Sequence, residues 1–164
     1  MRLDNATAKA TPVAKLDTVR PRIRVAAVIF RGREILLARH EKAGRSYWLL
    51  PGGGVEFGES LCEALVRELK EEANLTIEVG NVLFVNDMIA PERDRHVVHI
   101  FFSATVMAGE LKCGADHRLK EVCYVPMEEL AALTLFPPVY DSLLRATQAK
   151  REDFAPYLGA LWAD

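Results

Sequence analysis

The sequence predicts an α/β fold in which a mixed β-sheet is covered by helices on both faces. Three observations predict it. β-rich segments lie before and after one strongly patterned central helix, and two further helical segments follow the last strand. Half of the 164 residues are hydrophobic, so the composition permits a substantial core. A chain of this length is expected to form one compact domain.

The segments before the central helix are short and β-rich. Residues 23–30 and 34–39 flank an Arg-Gly-Arg turn, so they are expected to form a hairpin or adjacent strands. Residues 47–50 predict another short strand, which ends at Pro51 and is followed by three glycines.

The segments after the central helix predict further strands and then two helices. The predicted strands are 77–88, 96–107 and 122–125, and the predicted helices are 127–133 and 138 to about 148. Pro138 stands near the first turn of the last helix, where proline is tolerated. One apolar stripe of that helix is expected to pack on the core; it comprises Val139, Tyr140, Leu143, Leu144 and Thr147.

The two ends of the chain carry little pattern. We expect a flexible N-terminal tail over residues 1–20, a folded domain over 21–150 and a C-terminal extension over 151–164. The N-terminal residues lack the apolar segment of a signal peptide, and the longest apolar runs are too short to span a bilayer. The three cysteines share no C-x-x-C spacing, so neither a disulfide scaffold nor a zinc site is expected. These features predict a cytoplasmic protein without a membrane partner.

The charge is nearly balanced, with 21 basic and 23 acidic residues and a net charge of −2. Binding of duplex nucleic acid normally needs a basic face. We therefore expect no duplex nucleic acid among the partners.

The central helix has marked ends and three distinct sectors. Ser60 and Glu63 form a capping box at its start, and Asn74 is suited to the left-handed conformation that ends a helix. The sector expected to be buried comprises Cys62, Leu65, Val66, Leu69 and Ala73. The sector expected to face water comprises Glu63, Arg67 and Lys70. The third sector carries Glu68, Glu71 and Glu72, with Ala64 one turn earlier.

The acidic sector is unfavourable for the helix by itself. Carboxylates at i, i+3 and i+4 repel each other, and the C-terminal end of a helix disfavours negative charge. Arg67 can offset part of this repulsion by pairing with Glu71. A cluster of hard oxygen ligands suits Mg²⁺ or Mn²⁺. Taken alone, however, such a sector is more often an ordinary solvated face.

The loop before the helix, Pro51-Gly52-Gly53-Gly54, allows the backbone to approach a ligand or a metal closely. A glycine loop that leads into a helix N-terminus can also cradle phosphate. It is not a P-loop, because no Gly-Lys-Ser/Thr follows, and its spacing does not fit a dinucleotide-binding G-x-G-x-x-G.

Loop and helix together resemble the Nudix box, G-x5-E-x7-R-E-U-x-E-E-x-G-U, in which U is a bulky aliphatic residue. Gly53 is followed after five residues by Glu59, and after seven more by the run from Arg67 to Leu75. Every defined position matches except the last glycine, which is Asn74. Looser similarity extends to residues 25–28, 47–53 and 121–126. The resemblance implies the family's α/β/α sandwich.

The resemblance also implies roles for individual residues. Glu68, Glu71 and Glu72 would hold Mg²⁺ or Mn²⁺, with the Gly52 carbonyl as a further ligand. Glu59 and Arg67 would hold the loop against the helix. Glu68 is the first candidate for the general base; Glu121 is the alternative, as base or fourth metal ligand, and is equally interpretable as ordinary surface. The implied reaction is water attack on a phosphoanhydride of a nucleoside-diphosphate-linked substrate.

The substrate pocket is harder to assign. Arg93 and Arg95 could contact phosphate, although a solvated loop is the commoner arrangement. Four aromatic residues could stack on a base but are more often core; these are Tyr47, Trp48, Phe57 and Phe84. His40 and His96 lack sequence neighbours that would indicate a catalytic role.

Several functions remain open within this resemblance. The substrate could be an ADP-ribose-like sugar, a nucleoside triphosphate or a dinucleoside polyphosphate. A Nudix-fold module that senses a nucleotide without cleaving it is the alternative, although the complete set of carboxylates favours an enzyme. A basic RNA-decapping relative is disfavoured by the neutral charge. Family members are often homodimers, so a second copy of the chain is a further expected partner.

Overall fold

The structure is a computed structural model that describes residues 20–148 and 156–162. Its elements in chain order are β1 (Arg22–Val28), β2 (Phe30–Arg31), β3 (Glu34–Lys42), β4 (Arg45–Leu49), α1 (Leu61–Ala73), β5 (Thr76–Ile89), β6 (His96–Ala108), β7 (Leu119–Pro126), a 3₁₀ helix (Met127–Ala132), α2 (Tyr140–Gln148) and β8 (Tyr157–Ala160). The tail expected over residues 1–20 lies outside the described residues except for Arg20.

The strands form two sheets. The first is mixed and has the order β1-β6-β5-β8, with β1 parallel to β6, β5 antiparallel to β6 and β8 parallel to β5. The second is antiparallel, with β2, β4 and β7 all paired to β3.

Alternate residues of β1 supply two separate cores, because successive side chains of a strand point to opposite faces. Val25 and Ala27 pack in a cluster with residues of α1. Ala26 and Val28 pack in a second cluster, with Leu130 of the 3₁₀ helix and with Val139 and Leu143 at α2. Helices therefore cover both faces of the strands, and the predicted α/β/α sandwich is confirmed.

Both predicted ends of α1 are present. The Ser60 side chain accepts a hydrogen bond from the Glu63 backbone N–H at 3.2 Å, and the Glu63 carboxylate accepts one from the Ser60 N–H at 2.8 Å. Asn74 closes the helix in the left-handed conformation, at φ 56° and ψ 27°. The asparagine thus adopts the backbone geometry for which the box's last glycine is suited.

The predicted buried sector of α1 was wrong at two positions. Cys62 is exposed and Val66 is 39% exposed, whereas Ala64 is fully buried beside Leu65. Small alanines line this contact on both sides, including Ala64 and Ala73 on the helix and Ala27 and Ala38 on the strands. They allow the helix to approach the sheet closely along a line that turns Cys62 and Val66 outward.

The C-terminal elements differ in detail from the prediction. The segment expected as a helix over 127–133 is a 3₁₀ helix, and α2 begins at Tyr140 rather than at Pro138. Val139 and Leu143 are buried as expected. The strand β8 was not predicted, because four residues carry too little pattern to reveal a strand. It lies inside the segment expected to be an extension.

The left-handed cap yields a stability prediction. Asn74→Ala and Asn74→Gly both remove the side-chain hydrogen bonds to Lys70 and Glu110. Of these two residues only alanine is strained at positive φ. The free energy of unfolding of Asn74→Ala should therefore be about 1 kcal/mol lower than that of Asn74→Gly. Urea denaturation of the two variants measures this difference. Equal stabilities would show that the backbone conformation does not govern this position.

Candidate metal and catalytic site

The glycine loop runs alongside β1 and packs tightly on its surroundings. Val25 N–H donates to the Gly53 carbonyl at 3.0 Å, and Ala27 N–H donates to the Pro51 carbonyl at 2.9 Å. A Cβ atom at Gly52, which has φ +141°, would overlap the Val25 carbonyl oxygen. A Cβ atom at Gly53 would overlap the Glu68 carboxylate. The two glycines therefore let the loop lie directly between β1 and the acidic sector of α1.

Arg67 joins this loop to the helix. Its guanidinium donates to both oxygens of Glu59, from Nε at 2.7 Å and from Nη2 at 2.9 Å. Nη1 donates to Glu68 Oε1 at 2.9 Å, Nη2 donates to the Gly54 carbonyl at 3.1 Å, and Glu71 lies 3.5 Å from Nη1. Glu59 and Arg67, which were expected to hold the loop against the helix, thus form a bidentate contact. It lowers the pKa of Glu59 to about 2, and Glu59 in turn raises the pKa of Arg67.

Glu72 lies deeper than the other two carboxylates of the sector. Its side chain is 12% exposed, compared with 62% for Glu71. Glu72 Oε2 accepts a hydrogen bond from Gly52 N–H at 2.8 Å. Burial raises the pKa of Glu72 to about 7, although the Arg24 charge and the Gly52 hydrogen bond oppose the shift. Arg24 and the Gly52 N–H therefore offset only part of the cost of burying the negative charge of Glu72.

Arg24 of β1 is a neighbour of this site that the sequence analysis missed. Its Nη2 donates to the Gly52 carbonyl at 2.7 Å and to the Leu50 carbonyl at 3.1 Å. The Gly52 carbonyl, the expected further metal ligand, thus already accepts one hydrogen bond. No sequence pattern around Arg24 distinguishes it from the other arginines before β1.

The three carboxylates line one cavity together with a fourth acidic residue. The cavity measures about 350 Å³, and its lining comprises Glu68, Glu71, Glu72, Ala115, Asp116 and Leu119. Asp116 is brought there by the segment after β6, in which Lys112 N–H donates to the Ala73 carbonyl and Gly114 N–H to the Glu72 carbonyl. A hydrogen bond from Arg118 N–H is the largest cause of a lowered pKa at Asp116. The sequence analysis missed Asp116, since it lies in a polar stretch without periodicity.

Glu121, the alternative base or fourth ligand, is placed elsewhere. It accepts a hydrogen bond from Arg39 Nε at 3.0 Å and does not line the cavity. Glu121 pairs with Arg39 in the regular part of the β3–β7 ladder, so by alternation it shares a face with Cys123, which packs in the second core cluster on the side of the sheet away from α1. The expectation that Glu121 lies at the acidic site is corrected on this point.

His40 lies beside the buried carboxylate, although its sequence neighbours gave no indication of it. Nε2 of His40 is 3.7 Å from Glu72 Oε1 and has no hydrogen-bond partner among the described residues. Burial lowers the pKa of His40, and the charge of Arg24 lowers it further. The imidazole is thus predominantly neutral near pH 7.

The donor set suits a hard divalent cation. All of the side chains that line the acidic part of the cavity offer oxygen, which Mg²⁺ and Mn²⁺ prefer. Within residues 20–148 and 156–162, no three acidic, histidine or cysteine side chains already converge on one ligating point. Two of the carboxylates are instead turned to internal donors, Glu68 to Arg67 and Glu72 to Gly52. The high pKa of Glu72 fits a group that a bound cation would stabilise in its charged form.

A larger cavity of about 980 Å³ opens beyond His40. A series of neighbouring aromatic rings leads into it. The ring centres of His40 and Tyr47 are 6.0 Å apart, those of Tyr47 and Phe136 are 5.7 Å apart, and those of Phe136 and Trp162 are 5.9 Å apart. Its other lining residues include the cations Lys42, Arg45 and Arg95. We call it the aromatic cavity.

The structure separates the residues that were candidates for substrate contact. Tyr47 and Arg95 line the aromatic cavity, with the Arg95 guanidinium 5.9 Å from the Phe136 ring centre. Phe84 is fully buried against Phe101, and Phe57 is fully exposed at a turn. The last two candidates lie apart from the cavity lining: Trp48 packs against the second core cluster, and Arg93 is exposed.

The sandwich and the loop–helix unit at the edge of β1 define the class of protein, an α/β/α fold that presents a carboxylate-lined cavity. The NUDIX domain family matches residues 20–146 of the chain. The chain belongs to this family, and it is MutT-like. Among the described residues, no helix is long and apolar enough to cross a membrane.

Relatives and solved structures agree with this assignment. An ADP-ribose pyrophosphatase of Methanocaldococcus jannaschii is 40% identical over 104 residues, which are 62% of this chain and 60% of that protein. The human 8-oxo-dGDP phosphatase NUDT18 is 37% identical over 100 residues, 59% of this chain and 29% of that protein. The crystal structure of a MutT NUDIX hydrolase from Burkholderia pseudomallei superposes with a TM-score of 0.61 at 29% identity, covering 66% of this chain and 85% of that one. The match thus spans less than two thirds of the length of either sequence relative.

The buried position of Glu72 predicts a pH-dependent stability. Its pKa rises from 4.5 to about 7 on folding, so the folded state holds the proton more tightly. This contribution is fully present below pH 4.5 and is lost as the pH rises through about 7, by up to about 3 kcal/mol at about 1.4 kcal/mol per pH unit. His40 contributes in the opposite direction, because its pKa is lowered.

The measurement is urea unfolding with a chelator present, at several pH values from 4.5 to 8, for the wild type and for Glu72→Gln. The wild type should lose stability relative to Glu72→Gln as the pH rises. Parallel profiles for the two proteins would show that Glu72 does not titrate in this range.

Proposed function

We propose that the chain is a pyrophosphohydrolase, dependent on Mg²⁺ or Mn²⁺, that cleaves a phosphoanhydride in a nucleoside-diphosphate-linked substrate. The observation that carries the proposal is the placement of Glu68, Glu71 and Glu72 on one cavity at the point where the glycine loop meets α1. Membership of the NUDIX family and the activities for which the relatives are named support the same class of reaction.

The cation would be held by the carboxylates of the acidic sector. Glu71 is exposed and Glu72 is buried, so the set offers one ligand at the mouth and one at the floor of the cavity. The Gly52 carbonyl can add a ligand through its second lone pair, while Arg24 occupies the first. When bound, the cation would neutralise the diphosphate, polarise the attacked phosphorus and lower the pKa of water.

Glu59 and Arg67 are proposed as positioning residues. Arg67 uses separate nitrogens for Glu59 and Glu68, so it fixes the Glu68 carboxylate relative to the loop. Such a contact orients a ligand without touching the reacting atoms.

Glu68 is proposed as the general base. Its carboxylate packs directly on Gly53, and one oxygen accepts a hydrogen bond from Arg67. The water oxygen would form a bond to phosphorus as Glu68 takes the water proton, and the anhydride P–O bond would break, leaving two phosphate products. Glu121 lies on another face of the sheet, which argues against the alternative assignment.

The aromatic cavity supports a nucleotide as the substrate. Its rings can stack on a base, and its cations can offset the charge of the phosphates. The relatives are named for activities on ADP-ribose and on 8-oxo-dGDP, which both contain a nucleoside diphosphate. A small nucleotide-type molecule is therefore the proposed partner. A cytoplasmic location and a homodimer stay predictions from the sequence.

The first prediction for this function concerns the metal ligands. Glu71→Gln and Glu72→Gln should each lower kcat by about a hundredfold or more, since each removes a charged oxygen ligand. The assay is Mg²⁺-dependent release of a nucleoside monophosphate from a panel of ADP-ribose, nucleoside triphosphates and dinucleoside polyphosphates. The control is Glu78→Gln, an exposed glutamate of β5, which should leave turnover unchanged.

Normal turnover by both glutamine variants at the acidic site would refute the assigned roles. Nucleotide binding without cleavage by the wild type across the panel would instead favour a sensor module that does not cleave its ligand.

The second prediction separates the two candidate bases. Glu68→Gln should lower kcat by about a hundredfold, because a general base typically contributes a factor of roughly 10² to 10⁴. Glu121→Gln should change kcat by less than about tenfold, because Glu121 faces Arg39. Single-turnover rates with saturating Mg²⁺ measure the two effects. A larger loss in Glu121→Gln would reverse the assignment.

A further inference from the structure

The C-terminal segment adds a strand to the edge of the mixed sheet. Val85 N–H donates to the Pro156 carbonyl at 2.7 Å, and Leu161 N–H donates to the Asp87 carbonyl at 2.8 Å. Leu158 and Leu161 pack against the second core cluster. The segment is thus held by backbone pairing on one side and by apolar contacts on the other.

A polar cluster fastens the start of this strand. The Tyr157 hydroxyl donates to Asp87 Oδ2 at 2.5 Å, and His96 Nε2 lies 2.7 Å from Asp87 Oδ1. Asp87 is on β5 and His96 begins β6, so the cluster joins β8 to two strands of the sheet. The contacts with His96 and Tyr157 lower the pKa of Asp87, which keeps it a charged acceptor.

The consequence of this attachment is the position of Trp162. The indole lies 5.9 Å from the Phe136 ring at an interplanar angle of 76°, and it lines the aromatic cavity. Trp162 follows β8 by two residues, so fixing β8 fixes this part of the cavity wall. Arg95, which also lines the cavity, immediately precedes the His96 of the polar cluster.

We propose that Trp162 is a binding residue that stacks on the nucleobase of the substrate, with Tyr157 and Asp87 as positioning residues that hold it in place. The inference rests on the proposed function, since it places the base of that substrate in the aromatic cavity. An indole beside a second aromatic ring offers a planar, apolar surface that every base can use. The charged residues of this cavity are three cations, Lys42, Arg45 and Arg95, and one acid, Glu92. The excess of positive charge favours a ligand that also carries phosphate.

The test uses binding, so that it does not depend on hydrolysis. The chain has two tryptophans, and Trp48→Phe leaves Trp162 as the only indole. In that variant AMP should quench the tryptophan fluorescence, whereas ribose 5-phosphate, which lacks a base, should not. AMP affinity should fall about tenfold in Trp162→Ala and about threefold or less in Trp162→Phe, which retains an aromatic ring.

The positioning role has its own readout. Tyr157→Phe removes only the hydroxyl that donates to Asp87, and it should raise KM for a nucleotide severalfold while kcat stays within about twofold. Tyr124→Phe is the matched control, since Tyr124 packs under Arg31 away from β8 and should change neither constant. Circular dichroism and the urea midpoint establish that each variant is folded.

The outcomes separate this inference from the proposed function. Quenching by AMP together with a failure to hydrolyse any nucleotide would overturn the hydrolase and retain the base site. Hydrolysis with unchanged AMP affinity in Trp162→Ala, or equal quenching by ribose 5-phosphate, would overturn the role of Trp162 and retain the hydrolase.

Discussion

The fork of hydrogen bonds around Arg67 is the contact on which the site depends. Four carboxylates would repel one another around a small cavity, and three of them stand on the same helix near its C-terminal end. Arg67 reaches Glu59, Glu68 and the Gly54 carbonyl from one planar group, so it offsets part of that repulsion and fixes the loop at the same time. The contacts of Arg67 therefore fix the conformation of the loop and the position of the Glu68 carboxylate together.

The compensation within this site is incomplete. Arg67 donates to Glu68, and Arg24 donates to the Gly52 and Leu50 carbonyls. Among the described residues, the Gly52 backbone N–H is the only hydrogen-bond donor to Glu72. A largely buried carboxylate in this state favours its neutral form. A bound cation would stabilise the charged form of Glu72, whereas without a metal the charged form lowers the stability of the fold. Glycines at 52 and 53 leave no side chain that could fill the space, so the cluster stays open to a ligand.

The features predicted correctly from the sequence are local ones. The caps of α1, the Glu59–Arg67 contact and the acidic sector all lie within residues 59–74, where helical geometry fixes relative positions. Loops and strand pairing bring three further residues to the site, namely Asp116, Arg24 and His40. Neither the path of a loop nor the pairing of strands can be predicted from periodicity in the sequence. Glu121 was misplaced because its face is set by alternation with Val122 and Cys123 along β7, and a single acid before a predicted strand does not show which face of the sheet it occupies. Cys62 and Val66 were misassigned because hydrophobicity alone does not reveal that Ala64 sets the line of contact.

The same contrast explains why the sequence predicts the class of reaction better than it predicts the substrate. Three of the four carboxylates come from α1. The aromatic cavity is instead assembled from the β3–β4 turn, the β5–β6 loop, the segment before α2 and the residue two places after β8. Each of those segments lies at a loop or an edge, where changes cost the core little. His40 lies between residues of the two cavities, with Nε2 3.7 Å from Glu72 Oε1 and its ring centre 6.0 Å from that of Tyr47. Substitutions in the walls of the aromatic cavity can therefore leave the geometry of the acidic cavity unchanged.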